Sequence, residues 1–282
     1  GFYDAEGLDV TIKPGGPDIA PAQVLAGGGA DVMVDWMPSA LAAREKGLPL
    51  VNIAQPFKSS GMMLTCRKDM GVNTTADLKG KTLGVWFYGN EYPFLSWMSR
   101  LGLKTDGSAN GVTVLRQGWG VEPLTEGQAA CVSTMSYNEY WVVRDAGYSP
   151  EQLTVFKYQS EGAATLEDGL YVHEKNLSDA AFKDKMVRFV RASMKGWKYA
   201  EANPKEAAMI ILDNDDAGVQ TEKHQVRMMG EIAKLTAGSN GSLDPADYER
   251  TVKVLMSGDS DPVITKKPSG AWTNEITNAA LH

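Results

Sequence analysis

Residues Lys81–Trp97, KTLGVWFYGNEYPFLSW, decide the fold class of this chain. Leu83, Val85, Trp86 and Phe87 form a short apolar run rich in β-formers, which predicts a buried strand over 81–87. Gly89 and Asn90 break the run, and Pro93 opens Phe94-Leu95-Ser96-Trp97-Met98 with helical spacing. A strand, a tight turn and a helix start in succession make half of a βαβ unit. Open α/β sheets bind ligands at such turns, outside the carboxyl ends of their strands. The turn carries Trp86, Tyr88, Asn90 and Glu91 rather than a phosphate-type glycine loop or a nucleophile elbow. That set suits a flat molecule with a polar edge, and the reading is capture rather than reaction.

The alternation continues on both sides. Upstream, Gly7–Lys13 alternates Leu8, Val10 and Ile12 with polar neighbours and reads as a strand; helix over 19–26, strand over 31–34, helix over 39–46 and strand over 50–54 follow. After the loop at 55–61 the pattern restarts, with strands at 62–67, 112–116, 129–136 and 153–158 and short helices at 75–80 and 123–127. From Gly169 on the texture becomes helical. Ser178 is the expected cap of a helix to Asn203, and helices over 205–212, 219–237 and from Asp244-Pro245 to Met256 complete the tail. So long a tail needs a sheet to cover, and the first sheet has too few helices of its own. The expected architecture is therefore α/β with two lobes, each a doubly wound sheet flanked by helices, and a cleft between them. The first lobe is discontinuous, 1–61 plus 166–282, and the second spans 62–165.

A net charge of −7 offers no electrostatic footprint for nucleic acid or anionic lipid, and no run of about 18 apolar residues exists for a spanning helix. His173, His224 and His282 share no metal-ligand spacing, so neither a metal nor another cofactor is expected. Cys66 and Cys131 read first as small core residues, with a disulfide between them left open. The chain opens at Gly1-Phe2-Tyr3 without an initiator Met, as a processed chain would.

A second cluster, Ser136-Tyr137-Asn138-Glu139, ends the 129–136 strand in the same lobe as the opening stretch. Aromatic faces stack on a flat ring for about 0.5–1.5 kcal/mol each, and a carboxylate can accept two N–H bonds from an amino-heterocycle. Trp36 follows a strand end across the crevice, and Ser60 lies at the first crossing between lobes. The candidate ligand-binding residues are thus Trp36, Ser60, Trp86, Tyr88, Asn90, Glu91, Tyr137 and Glu139, with no catalytic set. For each, packing or turn formation is the competing explanation; Trp119 and Trp141 read as packing residues, and Met62 and Met63 as core.

GFYDAEGLDVTI, GGGADVMVDW, LPLVNIAQ, ADLKGKTLGVW and ANPKEAA, in that order, resemble periplasmic solute-binding proteins of bacterial ABC importers. The nearest group is the one for nitrate, sulfonates and thiamine pyrimidine precursors, and within it the branch binding hydroxymethylpyrimidine or formylaminopyrimidine. The resemblance implies a type II two-lobed fold that closes about a hinge, a membrane permease as partner, and a location in the periplasm or on a lipid anchor outside the cytoplasmic membrane. It also implies a pocket of stacked aromatics with a Tyr-x-Glu pair, here Tyr137 and Glu139. Family members usually carry one more strand before the GFY block. A fungal branch makes the pyrimidine from pyridoxal phosphate and a histidine and has a cysteine-rich CCCFC-type motif, which is absent here. A pyridoxal-phosphate enzyme of this fold, a chemoreceptor-coupled lobe, and a binder of nucleobase, flavin or sulfonate are the rival readings. Glu91 and Glu139, with no Arg or Lys in either cluster, disfavour an anion.

Overall fold

The computed structural model describes residues 1–16, 18–257 and 262–281. In chain order its elements are α1 (Phe2–Ala5), α2 (Pro21–Ala26), β1 (Met33–Asp35), α3 (Met37–Glu45), β2 (Leu50–Ala54), β3 (Met62–Arg67), β4 (Thr82–Val85) and α4 (Tyr92–Arg100). Then come β5 (Thr113–Arg116), α5 (Glu122–Thr125), β6 (Cys131–Met135), α6 (Glu139–Asp145), β7 (Leu153–Lys157) and β8 (Gly169–His173). Five helices close the chain: α7 (Ala180–Ala202), α8 (Pro204–Asp213), α9 (Glu222–Thr236), α10 (Pro245–Met256) and α11 (Glu275–Ala280). The strands form two sheets, β1-β8-β2 and β5-β4-β6-β3-β7.

In the second sheet β4 runs parallel to β5 and β6, while β3 is antiparallel to β6 and β7. Leu83 and Val85 are fully buried with Phe94, Trp97 and Met98 of α4, so the strand-turn-helix of the opening stretch is the centre of this core. Trp97 meets Phe156 and Tyr158 edge-on at 5.9 and 5.2 Å. Burying such side chains contributes about 2–3 kcal/mol each. Gly84 is small for a reason: a Cβ there would lie 2.9 Å from Val132 Cγ1 on the neighbouring strand.

The first sheet is thinner. β8 returns from the second sheet and inserts between β1 and β2, antiparallel to both. Its two faces are told apart by alternation. Val51, Ile53, Leu170 and Val172 pack on α7 and α11, whereas Leu50 and Tyr171 pack with α3 and α10. The helical tail therefore covers both faces of this sheet. Asp244 caps α10 by accepting from Ala246 N. Asp179, not Ser178, caps α7, accepting from Ala181 N.

Four expectations fail. Ser178 does not cap α7, and Gly169–His173 opens the tail as strand β8 rather than as helix. Gly7 is a turn residue with φ +67° and Leu8–Lys13 joins no sheet; only Leu8 is buried and Ile12 is 80% exposed. Alternation predicts a strand only if a neighbour pairs with it, and β1 pairs with β8 alone. The cysteines are buried core residues as read, and the link left open between them is present: Cys66 and Cys131 are register partners on β3 and β6 and are joined by a disulfide. Trp119 is 74% exposed rather than packed. Pro17 and His282 lie outside the described residues.

The chain crosses between sheets twice, over 55–61 and 158–168. Glu167 ties the crossings together. Its carboxylate accepts from Ser60 Oγ at 2.5 Å, Gly61 N at 2.8 Å and Met62 N at 3.3 Å. Gln55 Nε2 donates to the Glu167 carbonyl and to Phe57 O.

Candidate functional site

The carboxyl ends of β1, β4 and β6 and the two crossings converge on one region between the sheets. At the end of β1, Asp35 accepts from Trp36 N at 2.7 Å and from Ser39 Oγ at 2.8 Å. Trp36 is buried and packs with the core of the second sheet, so it bridges the lobes. Its side chain lies close enough to Asp168 to favour that residue's ionised form. Ser39 in turn abuts Gly89 from the β4 turn: a Cβ on Gly89 would sit 2.4 Å from Ser39 Cβ, and Gly89 has φ +110°, open to glycine. The lobes are in contact across the cleft at this point.

At the end of β6, Tyr137 is half-buried, with its ring 6.5 Å from that of Phe57. Glu139 is the first residue of α6; Oε2 accepts from Met135 N at 2.9 Å and Oε1 from Asn138 Nδ2 at 2.7 Å. Each oxygen thus has one in-chain donor and retains capacity for another. Asp168 stands at the second crossing with φ +28°, a region costly for a non-glycine residue.

These carboxyls share one electrostatic character. Burial pushes Asp35 up to about 7, against its bonds from Ser39 and Trp36, and Asp168 adds repulsion. Burial raises Glu139 to about 7 and Glu167 to about 8, in each case opposed by their hydrogen bonds. Asp168 rises to about 6 through burial, moderated by the Trp36 indole. Burial, with the charges of Asp168, Glu167 and Glu139, raises the Tyr137 phenol as well. No lysine, arginine or histidine stands among the strongest influences on these four carboxyls. Charges withdrawn from water without a counter-ion favour either neutrality or a partner that supplies N–H donors.

The sequence candidates divide. Trp36, Ser60, Tyr137 and Glu139 come together here, joined through Glu167, Asp168 and Asp35. The β4 turn is bonded largely to itself. Trp86 Nε1 donates to Gly118 O at 3.0 Å, Glu91 accepts from Gly89 N at 2.7 Å, and Asn90 reaches Phe87 O at 3.4 Å. Tyr88 is 42% exposed under the Arg116 guanidinium, 5.1 Å from its ring centre, at the rim rather than the floor. Asp35, Asp168 and Glu167 were not among the candidates. Asp35 reads as a turn residue in DWMP, and nothing local distinguishes the Glu167-Asp168 pair. Among the described residues no group of three or more His, Cys, Asp and Glu could hold a metal.

A family model described as NMT1/THI5 like matches residues 1–207. A formylaminopyrimidine-binding protein of Halalkalibacterium halodurans is 24% identical over 286 residues, covering 97% of this chain and 84% of the relative. A Haemophilus influenzae protein provisionally assigned to thiamine biosynthesis is 23% identical, covering 91% and 79%. Among solved structures, a Bordetella bronchiseptica RB50 protein superposes with TM-score 0.74 at 22% identity, covering 99% of this chain and 89% of that one. A Candida albicans protein described as having the generic periplasmic binding protein fold gives 0.65 at 14%, covering 97% and 89%. A desulfurization enzyme gives 0.64 at 15%, covering 100% and 93%. The fold is thus the two-lobed one of periplasmic binding proteins, which hosts at least one enzyme. With nearly three-quarters of its length matched by the family model, the chain belongs to the NMT1/THI5-like family.

Proposed function

We propose that this chain is the ligand-capturing component of an importer, that its ligand is a thiamine pyrimidine precursor of the hydroxymethylpyrimidine or formylaminopyrimidine type, and that it binds without altering it. The observation that carries this reading is the cleft itself: raised, cation-free carboxyls beside Trp36 and Tyr137. An aminopyrimidine offers aromatic faces to the rings and N–H donors to Glu139, Asp35 and Asp168; a sulfonate or nitrate would meet only negative charge. The formylaminopyrimidine-binding role of the Halalkalibacterium halodurans relative agrees. In this reading residues 1–61 plus 166–282 and residues 62–165 are the two lobes, Trp86, Tyr88, Asn90 and Glu91 form the cleft rim, and a membrane permease reads lobe closure. A buried disulfide fits an oxidising, extracytoplasmic compartment such as the periplasm.

A thermal-shift series with hydroxymethylpyrimidine, formylaminopyrimidine, nucleobases, flavin, taurine, nitrate and pyridoxal phosphate tests it. A ligand at a hundred times its Kd stabilises by about 2.7 kcal/mol, a rise of about 5 °C for a chain of this size. The pyrimidines should give that rise. A response to the anions alone overturns the ligand class. A lysine-dependent Schiff-base absorbance with pyridoxal phosphate overturns the non-enzymatic reading.

A further inference from the structure

α9 belongs to the helical layer of the first sheet, packed on α8 and α7, yet its first two turns touch α6 of the other lobe. His224 Nε2 lies 2.8 Å from Asn138 Oδ1. Asn138 Nδ2 is committed to Glu139 Oε1 at 2.7 Å, so the amide presents its oxygen to the imidazole, and Nε2 is the donor. One turn further, Arg227 pairs with Asp145 at 3.0 Å, and its guanidinium lies 4.8 Å from the Trp141 ring centre. Lys223 approaches the same carboxylate at 3.8 Å. The Arg227 side chain is only 22% exposed. By contrast Arg116 and Asp18, which also pair between lobes, are 55% and 82% exposed. Asp145, the partner of Arg227, is 47% exposed, so water screens the α9 pair less than the Arg116–Asp18 pair, and α9 adds a polar contact able to bias closure beside the packing of α4 on α3 and α10.

We infer that the first two turns of α9 are a closure latch: Arg227 fastens α6, and His224, acting through Asn138, holds Glu139 in the orientation that receives the ligand. Both are positioning residues that act through protein neighbours. The inference rests on the proposed function for the choice of probe and for Glu139 as a ligand contact; the Arg227 contact stands apart from it. These contacts exist when the lobes meet, so they stabilise the closed state and leave encounter with the open state untouched. Their loss therefore accelerates release without slowing capture.

The test is stopped-flow tryptophan fluorescence with hydroxymethylpyrimidine, alongside small-angle scattering of the ligand-free protein, for wild type, His224→Phe, His224→Gln and Arg227→Met. Losing one partly shielded hydrogen bond or ion pair predicts dissociation about two- to tenfold faster, with an unchanged association rate. His224→Gln keeps an N–H donor for Asn138 and should recover most of the wild-type rate; a purely packing role would not separate the two His224 variants. Unchanged dissociation in both His224→Phe and Arg227→Met overturns the latch. Should wild type fail to bind the pyrimidine, the proposed function falls, and scattering judges the latch: a larger radius of gyration in Arg227→Met supports it, and identical curves overturn it.

Discussion

Glu139→Gln separates what the fold pays from what the ligand gains. In the folded chain Glu139 titrates near 7, raised by burial from an ordinary value of 4.5. A carboxyl whose folded pKa is raised favours the folded state while protonated, and that advantage is lost as pH climbs from 4.5 through 7. With these two values the ionised form disfavours folding by about 1 kcal/mol at pH 5.5 and about 3 kcal/mol at pH 8.5. The variant has no such titration. Its amide oxygen can still accept from Met135 N, but its nitrogen faces Asn138 Nδ2, which forces that amide to turn. The cost of that rearrangement is common to both pH values and cancels in their difference. What survives is a gain of about 2 kcal/mol for the variant between pH 5.5 and 8.5, or about 4 °C in the melting-temperature difference. Scanning calorimetry of both proteins across this range measures it; a difference that stays flat refutes the buried, cation-free account of Glu139. At pH 8.5 the same variant should bind hydroxymethylpyrimidine at least about tenfold more weakly, since a charged acceptor has been lost. Undiminished affinity would remove Glu139 from the site.

Three further outcomes follow from other parts of the structure. Replacing both Cys66 and Cys131 by Ala should cost about 4 kcal/mol in urea unfolding, from the 65-residue separation the bond closes, and an unmoved midpoint would argue against the link. Gly89→Ala places a Cβ against Ser39 at a φ of +110°, so it should hold the lobes apart and weaken pyrimidine binding about tenfold or more, with scattering showing a more open bound form. Normal affinity in that variant would mean the lobes need not meet there. Arg116→Ala removes a solvent-screened pair and should leave affinity within about twofold, and a larger loss by titration calorimetry would show that this rim matters after all.

The sequence was legible where periodicity and local caps suffice. Strands at 50–54 and 62–67 lie at the bounds read from their apolar runs, and Asp244-Pro245 starts α10 as a cap and first-turn pair should. It was not legible where the partner is distant. GLYVH at 169–173 is apolar enough for a strand, but nothing local says it will slip between β1 and β2. Leu8, Val10 and Ile12 alternate correctly and still find no ladder. The cysteine pair needed the β3–β6 register, which sets residues 65 apart directly opposite. The candidate site repeats the lesson. Tyr137 and Glu139 were candidates through their aromatic and acidic character at a strand end and through the resemblance, and both lie at the cleft. Glu167 and Asp168 belong to the cleft only because two crossings, about a hundred residues apart, run side by side there, and Asp35 joins them because β1 pairs with β8, Asp35 opposite Gly169.

That arrangement gives a physical reason for closure to depend on ligand. Bringing the lobes together keeps Asp35, Glu139 and Asp168 from water, and among the described residues none of them forms a salt bridge, a state increasingly unfavourable above pH 6 to 7. The α9 contacts favour the same closed state, but they are few and lie at the margin of the cleft. An empty closed form is then opposed by its own carboxyls, and under the proposed function ligand N–H donors would remove that opposition by turning free acceptors into charge-assisted hydrogen bonds. The ligand's differential affinity for the closed form is the whole of the leverage available to it, and here it comes from acceptors that the protein itself leaves without a cation.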